Sequence, residues 1–460
     1  MADRKQIFLK ESEKKAFDQK HRQIILHNMA QYDAAAEKGK KRLAHLEMLR
    51  QRAYSIKHKS LWQIEKNLIE FESNFQRNGG RVIWALDAES AVNEIIKLLK
   101  SERIEKVVKS KSMTTEEIDL NVRLEKKKIE VIETDLGEFI VQQAGEKPYH
   151  IVTPAIHKSK DDVSALFHEK FNLPENSSPQ EVTAFVRQHL RNEFRNAEAG
   201  ITGANFLIAD TGSVAITENE GNALLSMAFP KLHIVVAGIE KVIPSAEDLD
   251  LFWPLLATHG TGQLMTAYNS LVSGSAKNGI NSSKMVVILL DNGRTDILAK
   301  TSHRAALGCI HCGACLNVCP VYKNIGGHSY DTTYSGPIGA VITPIMKGMR
   351  EYGHLSYAST ICGACTEVCP VKIPLHQMLL LNRKEYVEAG LSASSEKFQM
   401  KNSTRVLMKR SWLDAPKSGT KNKVLKYFVA KQWGPHRMLP EAAKKSFSQL
   451  WKEQNLNKDE

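Results

Sequence analysis

The chain has 460 residues, 42% of them apolar and 25% charged, which exceeds one ordinary core, suggests roughly two to four domains and argues against global disorder. The formal charge of +12 is uneven: residues 401–460 hold 14 basic against 5 acidic residues, residues 1–70 hold 16 against 9, and the remainder is mildly acidic. No apolar run reaches the roughly 18 residues that span a bilayer, and the charged stretch from Met1 to Lys20 lacks the apolar core of a signal peptide, so the cytoplasm is the expected location.

Residues 1–78 contain few Gly or Pro before Asn78-Gly79-Gly80, and Leu46, Leu49 and Tyr54 fall among basic residues as on amphipathic helices. A helical arm is predicted there, packed on the main body or on a partner. Its basic faces, like those of the tail, serve solubility or attract nucleic acid, anionic lipid or an acidic protein.

From Arg81 the pattern changes. Val82-Ile83-Trp84-Ala85-Leu86 reads as a buried strand, and Ala91, Ile95, Ile96 and Leu99 follow at helical spacing. Lys106-Val107-Val108 and Ile129-Glu130-Val131-Ile132-Glu133 read as further strands. Between them Thr114-Thr115-Glu116-Glu117 fits a capping box. Apolar runs follow at His150-Ile151-Val152, Phe206-Leu207-Ile208-Ala209, Val214-Ala215-Ile216, Leu232-His233-Ile234-Val235-Val236 and Met285-Val286-Val287-Ile288-Leu289-Leu290. Ser178-Pro179-Gln180-Glu181 opens a helix with a cap, a proline at the first position and a glutamate three residues on. Strands alternating with helices predict an α/β domain with a mainly parallel sheet over residues 79–295.

From Thr301 the strand pattern stops. A small helical domain over 296–392 is predicted, with a helix at Val341 to Met349 limited by Pro344 and a longer one at Leu375 to Tyr386. The basic tail, 393–460, has helical patches broken at Ala415-Pro416 and Trp433-Gly434-Pro435.

All seven cysteines lie between Cys309 and Cys369. A disulfide framework would spread pairs through the fold, so the clustering argues for metal ligation. Cys309, Cys312, Cys315 and Cys319-Pro320 have the spacing C-x2-C-x2-C-x3-C-P of bacterial ferredoxins. Cys362, Cys365 and Cys369-Pro370 form a second run. Residues 309–321 and 359–371 agree at eight of thirteen positions, an internal repeat. Zinc commonly takes isolated pairs and fits this pattern poorly.

Three closely spaced thiolates wrap one face of a cubane, and Gly313 and Gly363 let the backbone come close. In two-cluster proteins the fourth cysteine of each run serves the other cluster. On that rule Cys309, Cys312, Cys315 and Cys369 hold a first 4Fe-4S cluster, and Cys319, Cys362 and Cys365 hold a second. Ser359 stands where a cysteine would complete the second run. Three outcomes stay open there: a fourth iron bound by Ser359, His328, His354 or water; a 3Fe-4S cluster; or a ligand from a partner subunit. His311, inside the first loop, reads as a surface or neighbouring residue and not as a ligand.

The α/β region carries weaker signals. Glu133-Thr134-Asp135-Leu136-Gly137-Glu138 places three carboxylates at a strand end, suited to acid–base work, ligand binding or helix capping. Thr217-Glu218-Asn219-Glu220-Gly221-Asn222 offers the same choice against a polar turn. Thr202-Gly203-Ala204-Asn205, Asp210-Thr211-Gly212-Ser213, His259-Gly260-Thr261-Gly262 and Asp291-Asn292-Gly293-Arg294 read as turns. None forms a phosphate-binding loop, a dinucleotide fingerprint or a nucleophile elbow.

With these residues in view, the chain resembles the lactate-utilisation protein B family. The resemblance rests on residues 133–138, Pro154-Ala155-Ile156-His157, residues 210–213, Leu290 to Arg294, the cysteine pattern, and Trp433 to Pro440. It implies a lactate-utilisation domain with a fold like that of coenzyme A transferases and ribose-phosphate isomerases, followed by a helical two-cluster ferredoxin domain. It also implies an electron carrier, not itself the catalyst, in oxidation of L-lactate to pyruvate. Two companion proteins are implied: a cysteine-rich subunit like that of heterodisulfide reductases, and a second lactate-utilisation protein. No nucleic-acid partner is expected; peripheral membrane contact stays open. The rival readings are a substrate-converting α/β domain and a redox sensor or scaffold. Fold likeness to transferases does not transfer their activity.

Overall fold

Apolar runs of the middle third pair into one parallel sheet. In the computed structural model the strands are β1 (Arg81–Ala85), β2 (Lys106–Lys109), β3 (Glu130–Glu133), β4 (Ala199–Thr202), β5 (Phe206–Ile208), β6 (Ser213–Glu218), β7 (Leu232–Gly238), β8 (Val242–Ile243), β9 (Tyr268–Val272) and β10 (Lys284–Leu290). Residues 3–274, 284–433 and 438–456 are described. The main sheet has six strands in the order β1-β10-β7-β4-β2-β3, every pair parallel. A smaller sheet, β8-β5-β6-β9, adds an antiparallel hairpin turned at Asp210 to Gly212. The chain is therefore α/β with a parallel sheet, followed by a helical region that carries the cysteines.

Central strand β7 is buried along its whole length, as expected for a parallel strand covered on both faces. β1 is different. It pairs with β10 alone, and Trp84 is 50% exposed with its indole N–H donated to Glu72 Oε2 at 3.0 Å. The run at residues 82–86 is thus an edge strand and only partly buried: Val82 and Ala85 reach the core, Ile83 is half-buried, and Trp84 and Leu86 are exposed.

Other expectations need correcting. The cap before Thr115 is Ser112, whose Oγ accepts from Thr115 N, so Glu117 is free to turn inward. His150-Ile151-Val152 forms no strand: His150 Nδ1 accepts from the backbone N–H groups of Val152 and Thr153, closing a tight turn. His259 to Thr261 are the last helical residues of Leu249–Thr261, and only Gly262, at φ 77°, is the turn that ends it. The Ser178 capping box is present as read, with Glu181 as its partner. Pro344 lies inside the helix Gly336–Lys347 without ending it; Gly348, at φ 107°, breaks the chain before Met349–Tyr352.

Two compact units divide at residues 386 and 387. In the first, the N-terminal helices Arg4–Phe17, Gln19–Lys40 and Leu46–Trp62 share one apolar cluster with the cysteine region. Phe8 packs on Tyr330 and His354, with ring centroids 5.9 and 5.4 Å away. Lys323 pairs with Asp33 at 2.7 Å. The fourth helix, Ile64–Arg77, instead lays Leu68, Phe71 and Phe75 between the two sheets. The second unit is helical in its described parts and exposes Tyr427, Phe428 and Met438. Residues 434–437, part of the Trp433-Gly434-Pro435 break and of the Trp433 to Pro440 resemblance, lie outside the described residues.

Arg294 ties the first unit together. Its guanidinium, 3% exposed, donates to both oxygens of Glu117 at 2.9 and 2.8 Å and to Glu240 Oε2. Tyr334, from the cysteine region, donates its hydroxyl to Glu117 Oε2 at 2.7 Å. Removing one partner of a buried ion pair costs about 3–5 kcal/mol, because the others stay charged and unpaired. Arg294→Met is expected to lose that amount in thermal or denaturant unfolding. Ser178→Ala, which removes an exposed helix cap, should cost only about 1 kcal/mol. Similar small losses for both would count against the role of Arg294.

Candidate iron–sulfur site

Each cysteine run folds as a loop with two positive-φ residues. His311 and Gly313 have φ of 58° and 77°; Ile361 and Gly363 have 55° and 84°. Short helices, Ala314–Asn317 and Ala364–Glu367, follow. Gly313 has a second reason to be glycine. A Cβ there would lie 2.9 Å from Val152 Cγ2 and 3.2 Å from His150 Cε1, whereas one at Gly363 would meet nothing within 4 Å. The 150–152 turn, read from sequence as a strand, is therefore a wall of the first loop.

The seven thiols gather into two neighbouring sets. Cys369 lies within electrostatic reach of Cys309 and Cys312, and Cys315 feels all three and, more weakly, Cys365. Cys319 stands with Cys362 and Cys365. The last cysteine of each run is thus electrostatically coupled to cysteines of the other run. Cys312, Cys319, Cys365 and Cys369 are buried, while Cys362 is exposed. Backbone N–H groups reach three of the sulfurs: His311 N to Cys309 at 3.4 Å, Tyr322 N to Cys319 at 3.5 Å and Ile373 N to Cys369 at 3.4 Å.

Burial pushes up the thiols of Cys309, Cys312, Cys315, Cys319, Cys365 and Cys369, and repulsion between would-be anions adds to it at Cys312, Cys315, Cys319, Cys365 and Cys369; Cys365 and Cys369 reach about 11. Without a metal such groups stay protonated. A positively charged iron core reverses that preference by binding them as thiolates. Three cations assist the first set. Lys57, fully enclosed, donates to Glu240 O at 2.7 Å and counts Cys309 among its neighbouring charges. Lys241 is buried beside the same cysteine. Arg50 donates to Cys369 O at 2.9 Å. His150 Nδ1 is occupied as an acceptor, which leaves the proton on Nε2. That atom is buried next to Gly313 without a partner in hydrogen-bond geometry, although Asn317 stands near. Thiols, cations and a spare N–H donor fit an anionic iron–sulfur cluster.

None of Lys57, Lys241, Arg50 and His150 carries a sequence motif; only their burial beside the loops reveals them. His311 turns inward: its Nδ1 is buried without a partner, and its ring lies 5.7 Å from that of Tyr334. It is half-buried beside the first loop, the second of the two readings. His328 is bonded to Lys147 O at 2.7 Å and packs on Tyr149, while His354 packs on Phe8.

The weaker motifs have structural partners. Glu133, 1% exposed, pairs with Lys109 at 2.7 Å, and Glu116 reaches the same ammonium at 3.2 Å. Asp135 caps the helix Leu136–Gln143, and buried Glu138 is held well above the usual carboxylate range by desolvation and then by Glu133. Glu218 accepts from the N–H groups of Ala223 and Leu224. Asp291 accepts from Thr295 N and Oγ1, both at 2.8 Å. Thr202 bonds His233, and Asp210 accepts from Ala246 N. His157 pairs with Glu146 at 2.6 Å and stacks on Tyr149.

Comparison with known proteins places these features in a family. Residues 68–290 match the LUD domain, and residues 305–373 match the 4Fe-4S dicluster domain. Lactate utilization protein B of Bacillus cytotoxicus is 41% identical over 429 residues, covering 91% of this chain and 90% of the relative. The protein of that name from Shouchella clausii is 42% identical over 397 residues, covering 86% and 83%. A crystal structure of a DUF162 family protein from Deinococcus radiodurans aligns with 50% of this chain and 98% of its own at 13% identity, with a TM-score of 0.28. By identity over nearly its whole length, together with both domain matches, the chain belongs to the lactate utilization protein B family.

Proposed function

We propose that this protein is a cytoplasmic electron carrier in the oxidation of L-lactate to pyruvate. In this reading Cys309, Cys312, Cys315 and Cys369 hold one 4Fe-4S cluster, and Cys319, Cys362 and Cys365 hold three corners of another. Such clusters take up and release one electron at a time, so two in one chain match the two electrons that lactate yields. The observation that carries the reading is the electrostatic grouping of the seven thiols into two adjacent sets, each joined by the last cysteine of the other run.

The protein's own groups divide the labour. Lys57, Lys241 and Arg50 surround the first set with positive charge, which favours the reduced, more negative state. The second set reaches the surface at Cys362, where a redox partner can approach. The polar motifs of the α/β domain hold helix caps and buried pairs, which favours a carrier over a substrate-converting domain. The partners in this reading are two companions, one like the cysteine-rich subunit of heterodisulfide reductases and one a second lactate-utilisation protein. The basic tail, with Tyr427, Phe428 and Met438 exposed, offers surface for such contacts.

Anaerobically purified protein should carry iron and acid-labile sulfide, and Cys312→Ala should reduce lactate-dependent dye reduction by the three combined proteins to background. Undiminished flow in that variant, with its first cluster absent by EPR, would sink the carrier reading. Lys241→Met should lower the midpoint potential of the first cluster by on the order of 100 mV, the effect of one charge several ångströms away at an effective dielectric near 20. An EPR-monitored titration with an unchanged midpoint would remove Lys241 from the account.

A further inference from the structure

We infer that Ser359 Oγ is the fourth protein ligand of the second cluster, an inference that rests on the two-cluster reading above. The second loop keeps the backbone of the first even though its leading cysteine is absent. In the first loop Leu316 N and Asn317 N donate to Gly313 O at 2.9 and 3.2 Å; in the second, Thr366 N and Glu367 N donate to Gly363 O at the same distances. At the leading position Cys309 Sγ accepts from His311 N at 3.4 Å. Ser359 Oγ accepts from Ile361 N at 3.1 Å, the shorter distance reflecting the smaller atom. The serine oxygen therefore occupies the place of a leading thiolate.

Two further observations set this apart from an ordinary serine turn. Ile361 holds φ at 55°, a conformation that costs a β-branched residue energy and that a simple serine turn does not require. Arg383 donates to Ser356 O and Ser359 O, both at 2.9 Å, and so pins the backbone entering the loop. The strain and the clamp preserve a ligand-binding loop. Of the other protein donors, His328 is held by Lys147 O and His354 packs on Phe8. Ligation breaks the Oγ–H bond, passes that proton to solvent and forms one Oγ–iron bond, with no electron transferred. An alkoxide is a harder and more basic donor than a thiolate, so this corner holds the oxidised state more tightly than a cysteine would.

The test uses full-length protein, wild type, Ser359→Cys and Ser359→Ala, reconstituted anaerobically. Wild type and Ser359→Cys should hold equal iron per chain, with different second-cluster EPR and Mössbauer spectra, and the cysteine variant should have the higher midpoint potential. Ser359→Ala should lose one iron per chain on mild oxidation and gain the EPR signal of a three-iron cluster, while the first-cluster signal stays unchanged. If the alanine variant matches wild type in iron content and in second-cluster spectra, Ser359 is not a ligand. If wild type itself lacks any second-cluster signal, the two-cluster reading fails and takes this assignment with it. Circular dichroism on all three proteins separates loss of a ligand from loss of fold.

Discussion

A charged guanidinium enclosed by protein must find its counter-charges there, and Arg294 finds two. Glu117 comes from the short helix after β2, Glu240 from the turn after β7, and Tyr334 closes the group from the cysteine region. The three contributions are far apart in sequence, so the group exists only when the α/β domain and the cysteine region are packed together. Glu240 also fixes Lys57 through its carbonyl, and Lys241 follows it in the chain. One ion cluster therefore sets the wall against which the first cysteine loop rests.

That wall gives the α/β domain a structural part in the cysteine site. Its motifs at 133–138, 217–222 and 291–294 hold caps and ion pairs, and the 150–152 turn lies against Gly313. An iron–sulfur site needs exclusion of water, fixed N–H donors and nearby positive charge. In this chain the cysteine region supplies the thiols and the backbone N–H donors at Cys309, Cys319 and Cys369, while the N-terminal helices and the α/β domain bring the positive charge.

Much of this was legible beforehand. Period-two and all-apolar runs announced most strands of the main sheet, and Ser178 to Glu181 announced a helix start to the residue. The cysteine spacing announced the chemistry because ligand geometry is local. What escaped was set by distant contacts. Whether residues 82–86 lie at an edge depends on the strand order, which no local pattern carries. Thr114 looked like a cap only because Glu117 follows it, whereas the need to neutralise Arg294 assigns that glutamate elsewhere. His150 is buried and Val152 half-buried because they line a loop, not because they form a strand. Lys57, Lys241 and Arg50 are indistinguishable in the sequence from solvated surface cations.

The shared apolar cluster of the first unit also dictates an order of assembly. Phe8, Ile25 and Met29 are synthesised some 300 residues before Tyr322, Tyr330 and Leu355, which lie in the same cluster. Until then the helices that carry Phe8, Ile25 and Met29 have only the partial cover given by Tyr149, Phe206 and Phe252 of the same cluster, and partly covered nascent apolar faces are aggregation-prone. On the ligand sets proposed above, filling of the first cluster site therefore cannot precede synthesis of Cys369.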